Sequence, residues 1–277
     1  MIGDAVPYTF ARRTPRLCRV LPDVTFLGHA TLLVEMAGVR ILTDPVLFSR
    51  VSFLGRVVPP LDPVCYQNID IVLISHMHQD HCDLRSLREL AGATLIVPPG
   101  AGSYLQHKSH MHTVELPVGA TISHAGVQVR AVKAVHDASR VPFGPHAESI
   151  GFLITSADCA VYFAGDTDVY PEMAEFTGRA GQQIDVALLP VWGWGPNLGP
   201  GHMNPERAVQ AINLIEPRFS VPIHWGTLFP LGLGRVKPSL RQTLVRPPLE
   251  FAQRAELVDA PGAVVVVQPG NPVVFPR

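Results

Sequence analysis

Lysine is almost missing from this sequence: 277 residues contain only Lys108, Lys133 and Lys237. The other cations are arginines, and Lys+Arg 22 against Asp+Glu 23 leaves a formal net charge of -1. No basic surplus is present to draw nucleic acid by bulk charge. Cysteine is scarce too. Cys18, Cys65, Cys82 and Cys159 are far apart and form no CxxC pair, a usage that suits reduced thiols in the cytoplasm better than a disulfide framework. No apolar run reaches the roughly 18 residues that a transmembrane helix requires. The first twenty residues carry Arg12, Arg13, Arg16 and Arg19 without an apolar core, so they do not read as a secretory signal. Residues 1–21 are expected to form an N-terminal arm, and 22–277 a single domain. With 47% hydrophobic and 16% charged residues, the chain has the apolar content of a folded protein.

Short β-type runs open the ordered part at 23–27, 31–36 and 39–43, with Gly38 placed as a hairpin turn. Residues 69–74 are continuously apolar, which predicts a strand buried on both faces. Asp83 caps a short predicted helix whose apolar residues fall at 84, 87 and 90. Further strands are expected at 94–97, 127–135, 150–155, 160–164, 184–189, 219–223 and 263–267. Asn204-Pro205-Glu206 reads as a helix start, with Asn as cap and Pro at the first helical position, and Pro217 ends that helix. Strands with interspersed helices imply a layered α/β protein.

The chemistry concentrates just after the buried strand. His76, His78, Asp80 and His81 lie within six positions, and imidazole and carboxylate are the ligands of a borderline-soft divalent cation. Residues two apart on an extended segment share a side, so His76 and His78 can reach one ion. Asp80 and His81 fall where the chain turns toward the helix and can serve a second. A single catalytic ion that keeps an open position does not need all four.

The run His76-x-His78-x-Asp80-His81 resembles the signature of the metallo-β-lactamase superfamily. Partner motifs follow the family's order: Asp44 in Thr43-Asp44-Pro45, His136 past an apolar run, Asp166 in Gly165-Asp166-Thr167, and His224 in His224-Trp225-Gly226-Thr227. The resemblance covers roughly residues 22–270. It implies a four-layer αββα sandwich and a site for two divalent metal ions, zinc first, with manganese or iron as alternatives. His76, His78 and His136 would hold one ion and Asp80, His81 and His224 the other, with Asp166 between them and Asp44 orienting ligands through hydrogen bonds. Gly28-His29-Ala30-Thr31, Gly201-His202-Met203-Asn204-Pro205 and His136-Asp137-Ala138-Ser139-Arg140 are similar to the branch with ascorbate-6-phosphate lactonase and N-acylphosphatidylethanolamine phospholipase D. The implied activity is hydrolysis of an ester-like bond, a phosphodiester or a lactone, by a metal-bridging hydroxide. Asp80, Asp166 and His202 are the expected catalytic residues.

His202 ends a loop rich in Gly, Pro and Trp between two ligand motifs, and is expected to orient substrate or transfer a proton. Arg140 can clamp an anionic group of a small-molecule substrate. His29 reads as a packing residue beside the first hairpin, and His107, His110, His112, His124 and His146 as surface residues. Trp192 and Trp194 line a pocket or simply pack. The rival readings are a non-catalytic metal-binding scaffold, an iron-dependent oxygenase on the same fold, and a lipid-surface protein using the apolar stretch 228–233.

Overall fold

The structure, a computed structural model, describes residues 20–137, 144–193, 195 and 197–276. Arg140, Trp194 and all but the end of the expected N-terminal arm lie outside the described residues. The strands of the first half are β1 (Asp23–Gly28), β2 (Thr31–Met36), β3 (Val39–Thr43), β4 (Arg50–Val51), β5 (Leu54–Arg56), β6 (Ile71–Leu73), β7 (Thr94–Val97) and β8 (His112–Glu115). Those of the second are β9 (Thr121–His124), β10 (Val127–Lys133), β11 (Ile150–Thr155), β12 (Ala160–Phe163), β13 (Val186–Pro190), β14 (Phe219–Ile223), β15 (Leu228–Pro230), β16 (Ala263–Val264) and β17 (Asn271–Pro272). The helices are α1 (Leu84–Arg88), α2 (Gly102–Ser109), α3 (Phe176–Ala180), α4 (Pro205–Ile215), α5 (Leu233–Val236) and α6 (Arg246–Leu257).

Two seven-stranded sheets form, in the orders β17-β1-β2-β3-β6-β7-β8 and β16-β14-β13-β12-β11-β10-β9. Each joins an antiparallel meander to a parallel run: β1, β2 and β3 alternate before β6, β7 and β8 continue parallel, and β10, β11 and β12 alternate before β13 and β14 do so. Strand alternation distributes side chains to two apolar layers. Ile71 and Leu73 of β6 join a core with Phe26, Val34, Phe152 and Phe163, while Val72 and Ile74 face Leu87 of α1 and Leu105 of α2. That double burial explains the uninterrupted apolar run at 69–74. On the second sheet, α4 and α6 pack on β13 and β14, adding Ile212 and Phe251 to the core. The result is the expected sandwich of two sheets flanked by helices.

Local chemistry sets the corners. The β2–β3 hairpin turns through Ala37 and Gly38, both at positive φ (50° and 77°), as a two-residue turn matched to strand twist requires. Asn204 caps α4 by accepting from the Arg207 N–H at 2.9 Å, and Asp83 caps α1. Several expected strands are shorter than their apolar runs: β6 ends at Leu73, β10 at Lys133 and β16 at Val264. After β6 and β10 the chain turns toward the site, whereas past β16 Val265 still donates to the Ser220 carbonyl at 2.8 Å and stays in the core.

Candidate metal centre

Strand direction delivers the site. β3 and β6 are parallel, and β1 runs with β3 because β2 lies antiparallel between them. By the same reasoning β10 runs with β12, and β12, β13 and β14 are parallel. The carboxyl ends of these strands carry Asp44, His76, His136, Asp166 and His224, the edge at which α/β proteins place their chemistry. Three positions there hold left-handed backbone without glycine: His29 (φ 58°), Asp44 (φ 34°) and His224 (φ 63°). Such conformations persist only where the surroundings enforce them. For Asp44 the enforcement is visible: Thr31 Oγ1 donates to its carbonyl at 2.7 Å, and its own N–H donates to the Leu73 carbonyl at 2.8 Å.

The candidate ligand atoms form two neighbouring sets. His76 Nε2 lies 3.0 Å from His78 Nδ1, and His136 Nε2 lies 3.1 Å from the same atom. In the second set His81 Nε2 is 3.0 Å from His224 Nε2, with Asp80 Oδ2 at 4.0 and 3.9 Å from the two nitrogens. Asp166 stands between the sets. Its Oδ2 is 3.2 Å from His81 Nε2, 3.9 Å from His76 Nε2 and 4.0 Å from His136 Nε2, and its Oδ1 is 3.3 Å from His224 Nε2.

The hydrogen bonds on the far sides of the rings decide what these nitrogens offer. A carbonyl can only accept, so His136 Nδ1 donates to Gly201 (3.0 Å) and His224 Nδ1 donates to Trp192 (2.6 Å). His81 Nδ1 donates to Asp44 Oδ2 at 2.7 Å. Ser75 gives its hydroxyl proton to Asp44 Oδ2 at 2.6 Å, so its oxygen accepts from His76 Nδ1 at 2.9 Å. Four imidazoles thus carry a proton on Nδ1 and aim Nε2 into one buried space. Lone pairs converging at about 3 Å repel, and each buried acceptor left without a partner costs about 1–3 kcal/mol. Asp166 Oδ1 is likewise buried without a hydrogen-bond donor. A divalent cation bound among these donors would resolve both, and the donors are those of zinc, manganese or iron. The residues present therefore fit metal.

Electrostatics agree. Burial and the neighbouring imidazoles hold His76 well below the usual imidazole range and His136 down at about 4, so both stay neutral and able to ligate. His224 and His78 move the same way, chiefly through burial. Burial works against the charge on Asp166, yet His224, His81 and His202 hold its carboxyl well below the carboxylate range. His81 goes up despite burial, because Asp166 and Asp44 face it from two sides. That field favours positive charge between His81, His224 and Asp166. Asp44 is fully buried, which pushes its carboxyl up against the opposing pull of His81 and Ser75.

His202 lies at the rim. Its Nε2 is 3.4 Å from Asp166 Oδ2, its Nδ1 faces the carbonyls of Gly199 (3.2 Å) and Pro200 (3.1 Å), and its ring meets His136 edge-on at 4.6 Å. Its side chain keeps 21% exposure while Asp166 keeps 2%. Gly201 (φ 74°) makes this approach possible, since a Cβ there would meet the Val135 carbonyl at 2.9 Å and His136 Cα at 3.0 Å. His29 does more than pack beside the first hairpin. It is 1% exposed, and its Nε2 lies 3.0 Å from Asp80 Oδ2. His107, His110, His112, His124 and His146 are exposed, as expected.

Fold and cage together define a metallo-β-lactamase-type metal-dependent hydrolase. The family model described as Beta-lactamase superfamily domain matches residues 39–225, and the chain belongs to that superfamily. A UPF0173 metal-dependent hydrolase of Methanopyrus kandleri is 30% identical over 90% of this chain and 97% of its own length. Among solved structures, the metallo hydrolase Igni18 from Ignicoccus hospitalis superposes with a TM-score of 0.69 at 24% identity, covering 92% of this chain and 99% of its own. CmlA, a diiron β-hydroxylase from Streptomyces venezuelae, shares the fold at a TM-score of 0.64 and 19% identity, over 93% of this chain and 54% of its own. Among the described residues no helix is long and apolar enough to cross a membrane.

Proposed function

We propose that this chain is a binuclear metal hydrolase that cleaves an ester-like bond, a phosphodiester or a lactone, in a small anionic substrate. The observation that carries the reading is the convergence of two donor sets on one carboxylate, with the outer ring nitrogens of His76, His81, His136 and His224 committed to protein acceptors. His76, His78 and His136 would hold one ion and Asp80, His81 and His224 the other, with Asp166 available to both; zinc suits these donors best. When bound, two such ions lower the pKa of a shared water and stabilise the negative charge that develops on the scissile group.

The chain's own residues supply the rest. Asp44 fixes the tautomer and tilt of His81, and through Ser75 those of His76, so that both rings present Nε2 inward. His202 is held by two carbonyls on one nitrogen and faces Asp166 with the other. Asp166 and those carbonyls raise its pKa against the effect of burial, which favours a proton at Nε2. From the exposed rim it hands that proton to the leaving oxygen, help worth about 10² to 10⁴ in rate. Arg140, near the His136 motif in sequence, is the candidate clamp for the anionic group. The motifs shared with the ascorbate-6-phosphate lactonase and N-acylphosphatidylethanolamine phospholipase D branch support the phosphodiester and lactone choices.

The test pairs elemental analysis with a hydrolysis screen. Protein purified without chelator should contain close to two ions per chain, and the metal-loaded form should turn over at least one phosphodiester or lactone. A reproducible content of one ion, unchanged by added metal, refutes the binuclear reading. Turnover confined to lactams or amides refutes the substrate class.

A further inference from the structure

Gly28 ends β1 and His29 begins the turn to β2, and neither has a place in the ligand sets above. The turn is tied to the metal edge at several points. The His29 N–H donates to Thr227 Oγ1 at 2.8 Å, and its carbonyl accepts from the His224 N–H at 2.7 Å. Gly28 presses against the same threonine: a Cβ would stand 2.7 Å from Thr227 Cγ2. The imidazole of His29 lies over that of His224 with ring centroids 3.9 Å apart, and its Nε2 reaches Asp80 Oδ2 at 3.0 Å. That oxygen is also the one facing His81 and His224 across the second set. The ligand atoms of His29, Asp80, His81 and His224 all fall within 4.8 Å of one another.

A solvent-facing or merely packing histidine does not need this arrangement. The backbone of His29 is held left-handed at φ 58°, a conformation that costs a non-glycine residue energy. Three features offset that cost at this position: the two backbone hydrogen bonds and the contact with Asp80. Asp80 itself lies in the turn that follows His78 and keeps 13% side-chain exposure, more than Asp44 (0%) or Asp166 (2%). Of the expected ligands it is a carboxylate on a short, partly buried turn, and a group that fixes its orientation has the most to contribute there.

We propose that His29 is a positioning residue for the second metal set: its Nε2–H donates to Asp80 Oδ2 and holds that oxygen toward His81 and His224, while its ring buttresses His224 from below. The inference rests on the binuclear reading above. It assigns His29 no contact with substrate. Groups that orient metal-ligating carboxylates and imidazoles in this way typically change metal affinity by 10- to 100-fold when removed.

The experiment is a stepwise Zn²⁺ titration of the chelator-stripped full chain, by competition with a chromophoric chelator, for wild type, His29→Ala, His29→Gln and Asp80→Ala. Urea unfolding of the stripped proteins is measured alongside. Glutamine places an amide N–H near the position of the imidazole Nε2–H, so it restores the donor without the ring. The expected result is that His29→Ala weakens one of two binding steps about 10- to 100-fold and leaves the other within about threefold. His29→Gln should recover most of the loss. Asp80→Ala should weaken the same step as His29→Ala. The proposal is overturned if His29→Ala binds both equivalents like wild type, or if His29→Gln is no better than His29→Ala at equal stability. A wild-type protein that takes up only one equivalent removes the binuclear reading instead. In that case the hydrogen bond stands if His29→Ala weakens the single step with recovery by His29→Gln, and falls if it does not. If His29→Ala does not fold, His29→Gln against wild type decides: equal stepwise affinities support the donor role, and a weakened second step at native stability refutes it.

Discussion

Gly165 joins the two sheets at the metal edge, and replacing it with alanine tests how tightly that junction is set. It adopts φ 59°, and a Cβ would lie 2.4 Å from Ser75 Cβ and 2.6 Å from Ser75 Oγ. Ser75 cannot retreat freely. Its N–H and hydroxyl both donate to Asp44, at 2.7 and 2.6 Å, and its carbonyl accepts from the Ile150 N–H at 2.9 Å. Two costs therefore add in Gly165→Ala: a left-handed non-glycine residue, roughly 1–2 kcal/mol, and overpacking against an anchored neighbour, about 1–3 kcal/mol. The expected loss is about 2–5 kcal/mol by these two terms. Gly38→Ala is the control. Its φ is 77°, and nothing lies within 4 Å of the Cβ position, so only the backbone term of about 1–2 kcal/mol applies. Urea unfolding of both variants in chelator gives the comparison directly, because any change in unfolded-chain entropy is common to both. Displaced Ser75 also misplaces the proton acceptor of His76, so Zn²⁺ affinity should fall in Gly165→Ala and not in Gly38→Ala. Equal stability losses in the two variants, with unchanged Zn²⁺ affinity in both, would refute the packing argument.

Asp166→Asn keeps the size of the central carboxylate and removes its charge; turnover should fall by at least about 10²-fold with the fold retained, and near-normal turnover at full metal occupancy would exclude Asp166 from the shared position. His202→Ala should keep both ions and wild-type stability yet lose about 10²- to 10⁴-fold in kcat, whereas loss of an ion would make His202 a ligand. The stripped protein should lose stability as pH falls from about 6.5 toward the His136 value of about 4: His136, His76, His78 and His224 are depressed in the folded state, so the unfolded chain binds more protons across that window and is favoured by acid. His81 and His202 are raised and act in the opposite sense, so a stability that rises steadily from pH 7 to 5 would show that these two outweigh the four.

Much of the fold was legible because it follows from pattern and caps. The double-faced run at 69–74, the hairpin at Gly38 and the Asn204 cap each express one local rule, and β7, β11 and β14 fall on the residues that their apolar runs marked. Elements whose stability is tertiary were not legible. β8 and β9 show exposed or half-exposed residues throughout and exist as partners of β7 and β10. The three-stranded sheet β15-β5-β4 is built from strands of two or three residues, too short for any period. Helix α2 lacks a capping side chain and a clear apolar face, so nothing in its sequence announced it.

His29 shows what pattern reading leaves out. Read as a lone residue after a glycine, it offers one imidazole and no spacing to a second. Its significance comes from direction. The hairpins at 31–36 and 39–43 imply that β1 and β3 run the same way, since an antiparallel strand lies between them. Asp44 was already placed at the carboxyl end of β3 by its motif. The carboxyl end of β1 must then lie on that same edge, two strands away, or about 10 Å at ordinary strand spacing, within reach of a side chain aimed along the edge. A histidine there is a member of the site's neighbourhood by topology, before any coordinate is known. The signal was therefore present in the sequence, in the order and polarity of the first three strands, and not in the residues flanking His29.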